Sequence, residues 1–560
     1  MNKFSSCIII IFLWGIASSN VVFANSYSSI YYTITPLFGN KVPVIKVTAD
    51  IRGDIKDQLV VDLPCRWASG EYVEQLKEVK VDNFSYRIIS NNELCNQLII
   101  AISKPTDRVV INYEVHQKKG DPAEVHEAII RTDLVHSVGY GIFAIPSDVR
   151  DAGELPFRIE WKEMPSKWKT ISSYGTARFL NFKAKAQELL HAIYVAGNLR
   201  IFQIADNKSP VFLSLYGSFD VKDSSIVSSL QEIVKTQRSF FNDHNFPYYA
   251  ISLIEGNDPN SMGGTRLYDS FAAYLPKGMK HSDYYILFAH EHLHNWLGGK
   301  IHNNGRDSLD YWWSEGFTDY YARVLALRSA GISLEEFIDE CNQILRNYYL
   351  SPVINQPNTT IKNSYWKNEN VQKLPYTRGF VFAIYLNSLI KLHDDTKSID
   401  NIILDLFKIA KQQPFSVKSF KESAKNYIFQ GIEQEIARFI DQGKTIDLTA
   451  AASILPLEKI KMGPYERGFD KDKILKNKII HNINPNSNAY KSGLRNGDKV
   501  VEFIFPKGSD PDQIATIKTI NKTFKFRPER SHNKKEIYQF KTNLSAEDKL
   551  KIKRFFGVNI

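Results

Sequence analysis

Cysteine is scarce in this sequence: four residues in 560, none spaced as CxxC. A small scaffold stapled by disulfides is therefore excluded, and so is a structural zinc knuckle. Apolar runs of membrane-spanning length are missing beyond the first two dozen residues, so no stable membrane insertion is expected later in the chain. Neither sign of charge dominates. The 71 basic and 61 acidic residues leave a formal charge of +10 spread over the whole length. A basic patch near the carboxyl end (Lys534, Lys535, Lys549, Lys551, Lys553, Arg554) adds a mild attraction to anionic surfaces. No zinc finger, aromatic–basic stacking motif or groove-reading signature accompanies it, so nucleic acid is not an expected partner. No internal repeat is visible.

The chain opens with Lys3, a short apolar run (CIIIIFLWGIA) and Val22-Phe23-Ala24 before Asn25. A basic start, an apolar stretch too short to span a bilayer comfortably, and small or modest residues at the cleavage positions define a secretory signal over 1–24, cut after Ala24. The mature product is expected to be exported, periplasmic or secreted. In an oxidising compartment Cys65 and Cys95 can pair, leaving Cys341 as a buried thiol, although spacing alone does not decide the pairing.

Against this background His290-Glu291-His292-Leu293-His294 stands out. Residues four apart share a helix face, so His290 and His294 converge on one point, with Glu291 beside it and His292 off that face. Two such imidazoles are the grip expected for one Zn2+, and the carboxylate is placed to polarise water. The surrounding stretch, DYYILFAHEHLHNW from Asp283 to Trp296, carries apolar residues through and around the pentad and ends at Gly298-Gly299, which predicts a buried helix. Burying two histidines and a glutamate costs free energy unless partners are supplied, and a metal supplies them.

A catalytic zinc takes three protein ligands and leaves one position open. Glu315, in WWSEGFTDYY, opens a second expected helix that ends near Gly331, and Asp319 lies one turn on along the same face. Asp319 is placed to accept the free ring N–H of a ligand histidine. Further on, Tyr376 in PYTRGF heads an apolar helix (VFAIYLNSLI) and is a candidate donor to an oxyanion, though the chain has 28 tyrosines and spacing says little about any one of them.

The organisation expected from length and patterning is multidomain α+β. Residues 25–171 alternate apolar and polar positions, as at 45–51 and 108–115, and form an N-terminal β-rich domain. Residues 172–455 begin mixed and turn helical after Asp283, which suits a thermolysin-like catalytic domain with the zinc in a cleft between sheet and helices. In 456–560, Ala489 to Val500 (AYKSGLRNGDKV) resembles the bacterial PDZ pattern, whose modules accept a peptide end as an added strand.

Together HEHLHNW, WWSEGFTDYY and YTRGF resemble the PDZ-containing glycyl aminopeptidase family of gluzincin zinc metallopeptidases. The resemblance implies one zinc per chain on His290, His294 and Glu315, with Glu291 as general base and acid and Tyr376 as oxyanion stabiliser. Peptide or protein substrates follow from the same resemblance. It also implies that Gly263-Gly264-Thr265-Arg266 lies along the bound peptide, where the family usually carries G-G-L-E-H and its glutamate caps the free amino group. Arg266 holds that place here. A permanent cation repels an ammonium and prefers a carboxylate or carbonyl, so end specificity is expected to differ from the aminopeptidase pattern. Two other readings stay open: a catalytically degenerate peptide-binding protein acting through its PDZ-like module, and a zinc esterase or amidase.

Overall fold

The computed structural model describes residues 25–558 apart from 39–42, 65–66, 68–74, 91–94, 119–127, 151, 206–207, 245–247, 257–261, 303–307, 429–430 and 507–508. The signal segment expected over 1–24 and Cys65 lie outside the described residues. Cys95 is disulfide-bonded, and Cys341 is a free, buried thiol.

Strict alternation makes Ser26–Leu37 two-faced: Ile30, Tyr32 and Ile34 are buried while Tyr31, Thr33 and Thr35 are half-exposed. This strand sits inside a six-stranded sheet ordered Phe179–Ala184, Leu155–Trp161, Ser26–Leu37, Val44–Ile55, Thr106–His116, Leu76–Val81. Pairing is antiparallel except between Ser26–Leu37 and Leu155–Trp161. Two four-stranded sheets complete a β-rich unit with one apolar core. That core continues past residue 171, because Lys169–Ser172 pairs with Ile193–Gly197 and Leu199 is still part of it.

A five-stranded sheet follows, ordered Arg200–Gln203, Val211–Tyr216, Tyr249–Gly256, Ser270–Pro276, Gly263–Leu267. Its two faces go to different cores. Ala250, Ile254, Ala272 and Tyr274 join the β-rich unit, whereas Ile251, Leu253, Phe271, Ala273 and Leu275 pack on helices. Gly263–Leu267 is the outer strand, with one edge unpaired by the sheet. The helices that matter for the site are Asp223–Phe241, His281–Leu293, Gly316–Arg328, Leu334–Tyr349 and Glu369–His393.

The segment 456–560 divides in two. Phe469 to Phe526 contribute a small separate core, but the flanking strands Leu457–Met462 and Lys535–Phe540 pair with each other and pack on the helical lobe. The last helix, Ala546–Phe556, also returns to that lobe, where Phe556 meets Phe337 at 4.9 Å between ring centroids. A buried bidentate ion pair ties the small unit down: Arg346 Nε and Nη2 reach the two oxygens of fully buried Asp510 at 2.8 and 2.7 Å. The whole is a mixed α+β, multidomain fold. Among the described residues, no helix is long and apolar enough to cross a membrane.

Candidate active site

The helix His281–Leu293 buries Tyr284, Tyr285, Ile286, Phe288, Ala289 and Leu293, which sets the direction of its polar residues. Regular helix stops at Leu293, short of the expected glycine stop. His294 nevertheless keeps helical backbone and donates its N–H to the His290 carbonyl at 3.3 Å, so the four-residue relationship of the imidazoles survives. Gly298, in the left-handed region at φ +82°, completes the turn.

Each imidazole is oriented through its Nδ1. His290 Nδ1 lies 3.0 Å from Asp319 Oδ1, and His294 Nδ1 lies 3.0 Å from the Leu297 carbonyl. An ionised carboxylate and a carbonyl only accept, so both Nδ1 atoms carry the hydrogen and both Nε2 lone pairs face inward. The two Nε2 atoms are 3.0 Å apart, and Glu315 Oε2 is 3.4 and 3.3 Å from them. His290, His294 and Glu315 are the one His/Cys/Asp/Glu group of metal-holding geometry among the described residues. Three lone-pair donors aimed at one another in a buried place repel unless a cation or proton lies between them. Two nitrogens bound tetrahedrally at zinc distances would sit about 3.3 Å apart, so the donor set fits that metal.

Without a metal the electrostatics show the same need. Burial alone would lower the His290 imidazolium, yet hydrogen bonds to Asp319 and Glu315 and the charges of Asp319 and Glu291 raise it to about 10. Burial would raise the Glu315 and Asp319 carboxyls, but His294 and His290 beside the first and Arg323 and His290 beside the second hold both below their ordinary values.

Glu315 joins the short helix Tyr311–Ser314 to Gly316–Arg328 and has αR backbone itself, so the acid leaves a nearly continuous helical path. Asp319 follows one turn later, its N–H bonded to the Glu315 carbonyl at 2.8 Å. Glu291 is buried beside the metal ligands and directly beneath the outer strand. A Cβ built on Gly264 would stand 2.7 Å from Glu291 Cγ and Oε1, so any side chain there would displace the acid from this position. The corresponding position at Gly263 is open.

Tyr376 reaches the site with its ring 6.1 Å from that of His290 and nearly parallel to it. It does not head its helix, as expected from the sequence. Glu369–His393 starts two turns earlier, where the Asn368 side chain accepts the N–H groups of Asn370 and Val371, and Pro375 lies inside the helix. An asparagine cap outweighs the proline as a start signal here. Burial, the Glu315 charge and Tyr365 push the Tyr376 phenol well above its ordinary value, which keeps it protonated and able to donate.

Arg266 lies two residues along the outer strand from Gly264. Gly264 pairs with Ala273 and Arg266 with Phe271, and both partners belong to the helix-facing core, so Gly264 and Arg266 share the face turned toward the metal helix. The side chain is half-buried, and its charge bears on Tyr249 and Asp269. Burial raises the Asp269 carboxyl to about 6 against the opposing pull of Arg266. His292, expected off the ligand face, is bound through Nδ1 to Gln237 Oε1 at 2.7 Å, and burial lowers it to about 3, so it stays neutral.

Residues 283–385 match the family model described as M61 glycyl aminopeptidase. That span contains His290, Glu291, His294, Glu315, Asp319 and Tyr376, and it leaves out Arg266 and everything after residue 385. The fold as a whole is similar to that of an aminopeptidase N family protein from Idiomarina loihiensis, with a TM-score of 0.68 over 93% of this chain and 99% of that chain at 18% identity. More distant likenesses are to an M1 zinc metallopeptidase from Deinococcus radiodurans (TM-score 0.46, 15% identity, 75% and 94% covered) and to yeast LTA4 hydrolase in complex with Bestatin (0.45, 14%, 76% and 68%). No curated protein matches in sequence. The family match supports peptide hydrolysis, and the structural likeness shows an aminopeptidase-like α+β fold.

Sequence reasoning did not find the groups that hold this arrangement from behind. Arg323 and Glu340 back Asp319, with Arg323 Nη1 3.1 Å from Asp319 Oδ1 and Nη2 3.0 Å from Glu340 Oε2. The spacing of Asp319 and Arg323, four apart on a helix, was visible; the partner on another helix was not.

Proposed function

We propose that this protein is an exported zinc metallopeptidase whose end specificity departs from that of an aminopeptidase. The observation that carries the reading is the convergence of His290 Nε2, His294 Nε2 and Glu315 Oε2, with Glu291 held at the same place under the unpaired edge of a strand. A zinc ion there would supply a Lewis acid and a water acidic enough to act near neutral pH. Glu291 takes the proton of the attacking water and returns it to the leaving amine. Tyr376, kept protonated, donates to the oxyanion as the carbonyl becomes tetrahedral. The outer strand offers main-chain groups to an extended peptide, and the glycine at 264 keeps that peptide close to Glu291.

Arg266 supports the altered specificity. It stands on the same face of the strand as Gly264, which lies over Glu291, and would disfavour a free ammonium at that end of the peptide, while favouring an acidic or blocked amino end or cleavage within a chain. The apolar start of the sequence supports export, with the signal over 1–24. The small unit around Phe469 supports a PDZ-like module that takes a peptide terminus: Gly468 and Gly497 both have left-handed backbone there, and Phe469 is buried.

The test is a Glu291→Gln protein beside the parent, with metal content measured on both and a peptide library read by mass spectrometry. Glu291→Gln is expected to keep its zinc and lose turnover by ~100-fold or more; equal cleavage by both proteins rejects the mechanism. Cleavage by the parent confined to free amino ends rejects the reading of Arg266.

A further inference from the structure

Behind the site, His290, Asp319, Arg323 and Glu340 form one unbroken line of contacts, buried except at half-buried Asp319. Asp319 Oδ1 accepts from His290 Nδ1 at 3.0 Å and from Arg323 Nη1 at 3.1 Å. The same Nη1 also donates to the Asp319 main-chain carbonyl at 3.0 Å. Arg323 therefore holds both the backbone and the side chain of the residue one turn before it, favouring the Asp319 orientation that also faces His290. Arg323 Nη2 is in turn fixed by Glu340 Oε2 at 3.0 Å, on the helix Leu334–Tyr349. The guanidinium lies 5.9 Å from the Phe380 ring centroid, on the helix that carries Tyr376 one turn earlier.

Two physical points make this more than an ordinary ion pair. First, the Arg323 and Glu340 side chains are each only 9% exposed, so solvent contributes little to their balance. Second, four carboxylates (Glu291, Glu315, Asp319 and Glu340) crowd this region, and Arg323, a permanent cation, contacts two of them. A lone carboxylate beside a histidine swings; one held from behind by a guanidinium that a second carboxylate fixes in turn does not.

We propose that Arg323 is a positioning residue for the metal centre: by clamping Asp319 between its own helix and Glu340, it sets the ring orientation of His290 and hence the direction of the Nε2 lone pair. This rests on the metal reading given above. It assigns no contact between Arg323 and substrate or metal.

The test uses the purified chain and reads zinc affinity by chelator competition, together with melting of the metal-stripped protein. Arg323→Met is expected to bind zinc ~10–100-fold more weakly than the parent, the range seen when a group orienting a ligand is lost. Arg323→Lys keeps the charge but not the rigid planar group that reaches Asp319 and Glu340 through different nitrogens; it is expected to recover part of that loss. A folded Arg323→Met protein with parental zinc affinity overturns the proposal. Should that variant not fold, Arg323→Lys decides alone, and parental affinity in it overturns the proposal equally. A parent that binds no stoichiometric zinc fails in a different way, because it removes the metal reading itself.

Discussion

Gly316 and Gly379 cross at backbone contact. A Cβ built on Gly316 would lie 2.4 Å from Gly379 Cα, and one on Gly379 would lie 2.0 Å from the Trp312 carbonyl oxygen. One helix brings Glu315 and the other Tyr376, so this crossing sets how near the metal carboxylate and the phenol come to each other.

Gly379→Ala is accordingly expected to push the two helices apart. The obstacles are main-chain atoms, which cannot rotate away, and forcing extra volume into such packing costs about 1–3 kcal/mol or more. Urea denaturation should show the loss of stability, and turnover should fall with it, since Tyr376 moves with its helix.

Tyr376→Phe removes the hydroxyl and keeps the ring. Loss of one donor to an oxyanion lowers kcat by ~100–1000-fold. Zinc content and KM are expected to stay near parental values, because the phenol is needed where charge develops and not for binding. Steady-state kinetics on one good peptide would show the split; a raised KM with unchanged kcat would contradict it.

Metal binding should be tied to pH. In the metal-free protein His290 is raised to about 10, so at pH 7 it carries a proton that zinc must displace. Calorimetry in buffers of different ionisation enthalpy is expected to report about one proton released per zinc at pH 7, and almost none well above pH 10. The raised value has a second consequence. Its contribution to the stability of the metal-free fold is complete below the ordinary histidine range and is lost as pH rises through about 10. Melting in chelator should therefore fall between pH 7 and 10, and the zinc-loaded protein should not follow it.

Asp510→Asn tests how the small carboxyl-terminal unit is held. The change replaces the bidentate partner of buried Arg346 with a neutral amide and leaves Asp512, at 3.7 Å, as its remaining charged neighbour; breaking a buried pair outright costs about 3–5 kcal/mol, and this loss is expected below that. Proteolysis is expected to release fragments from the 463–530 region in the variant sooner than in the parent, while zinc content is unchanged.

Much of the site was legible because its chemistry is local. The i,i+4 histidines with the glutamate between them, and Asp319 one turn after Glu315, are relationships that a helix enforces by itself; that Glu315 and Asp319 meet the histidines is a contact between two helices. Tyr376 was legible as a residue but not as a position, since an asparagine cap upstream overrode the proline that seemed to start its helix. The face of Arg266 was beyond reach until the strand register paired it with Phe271.

By itself the sequence determined which groups exist to bind a cation and move a proton, and that an alternating β-rich stretch precedes a helical one, because periodicity and side-chain chemistry act over a few residues. Only the tertiary structure decided that Glu340 backs Arg323, that Gly264 lies over Glu291, that two glycines set a helix crossing, and that the final helix returns to the lobe carrying the metal ligands. Those are contacts between distant segments, selected by the burial of large apolar faces and the matching of buried charge, and no short stretch of sequence carries that information.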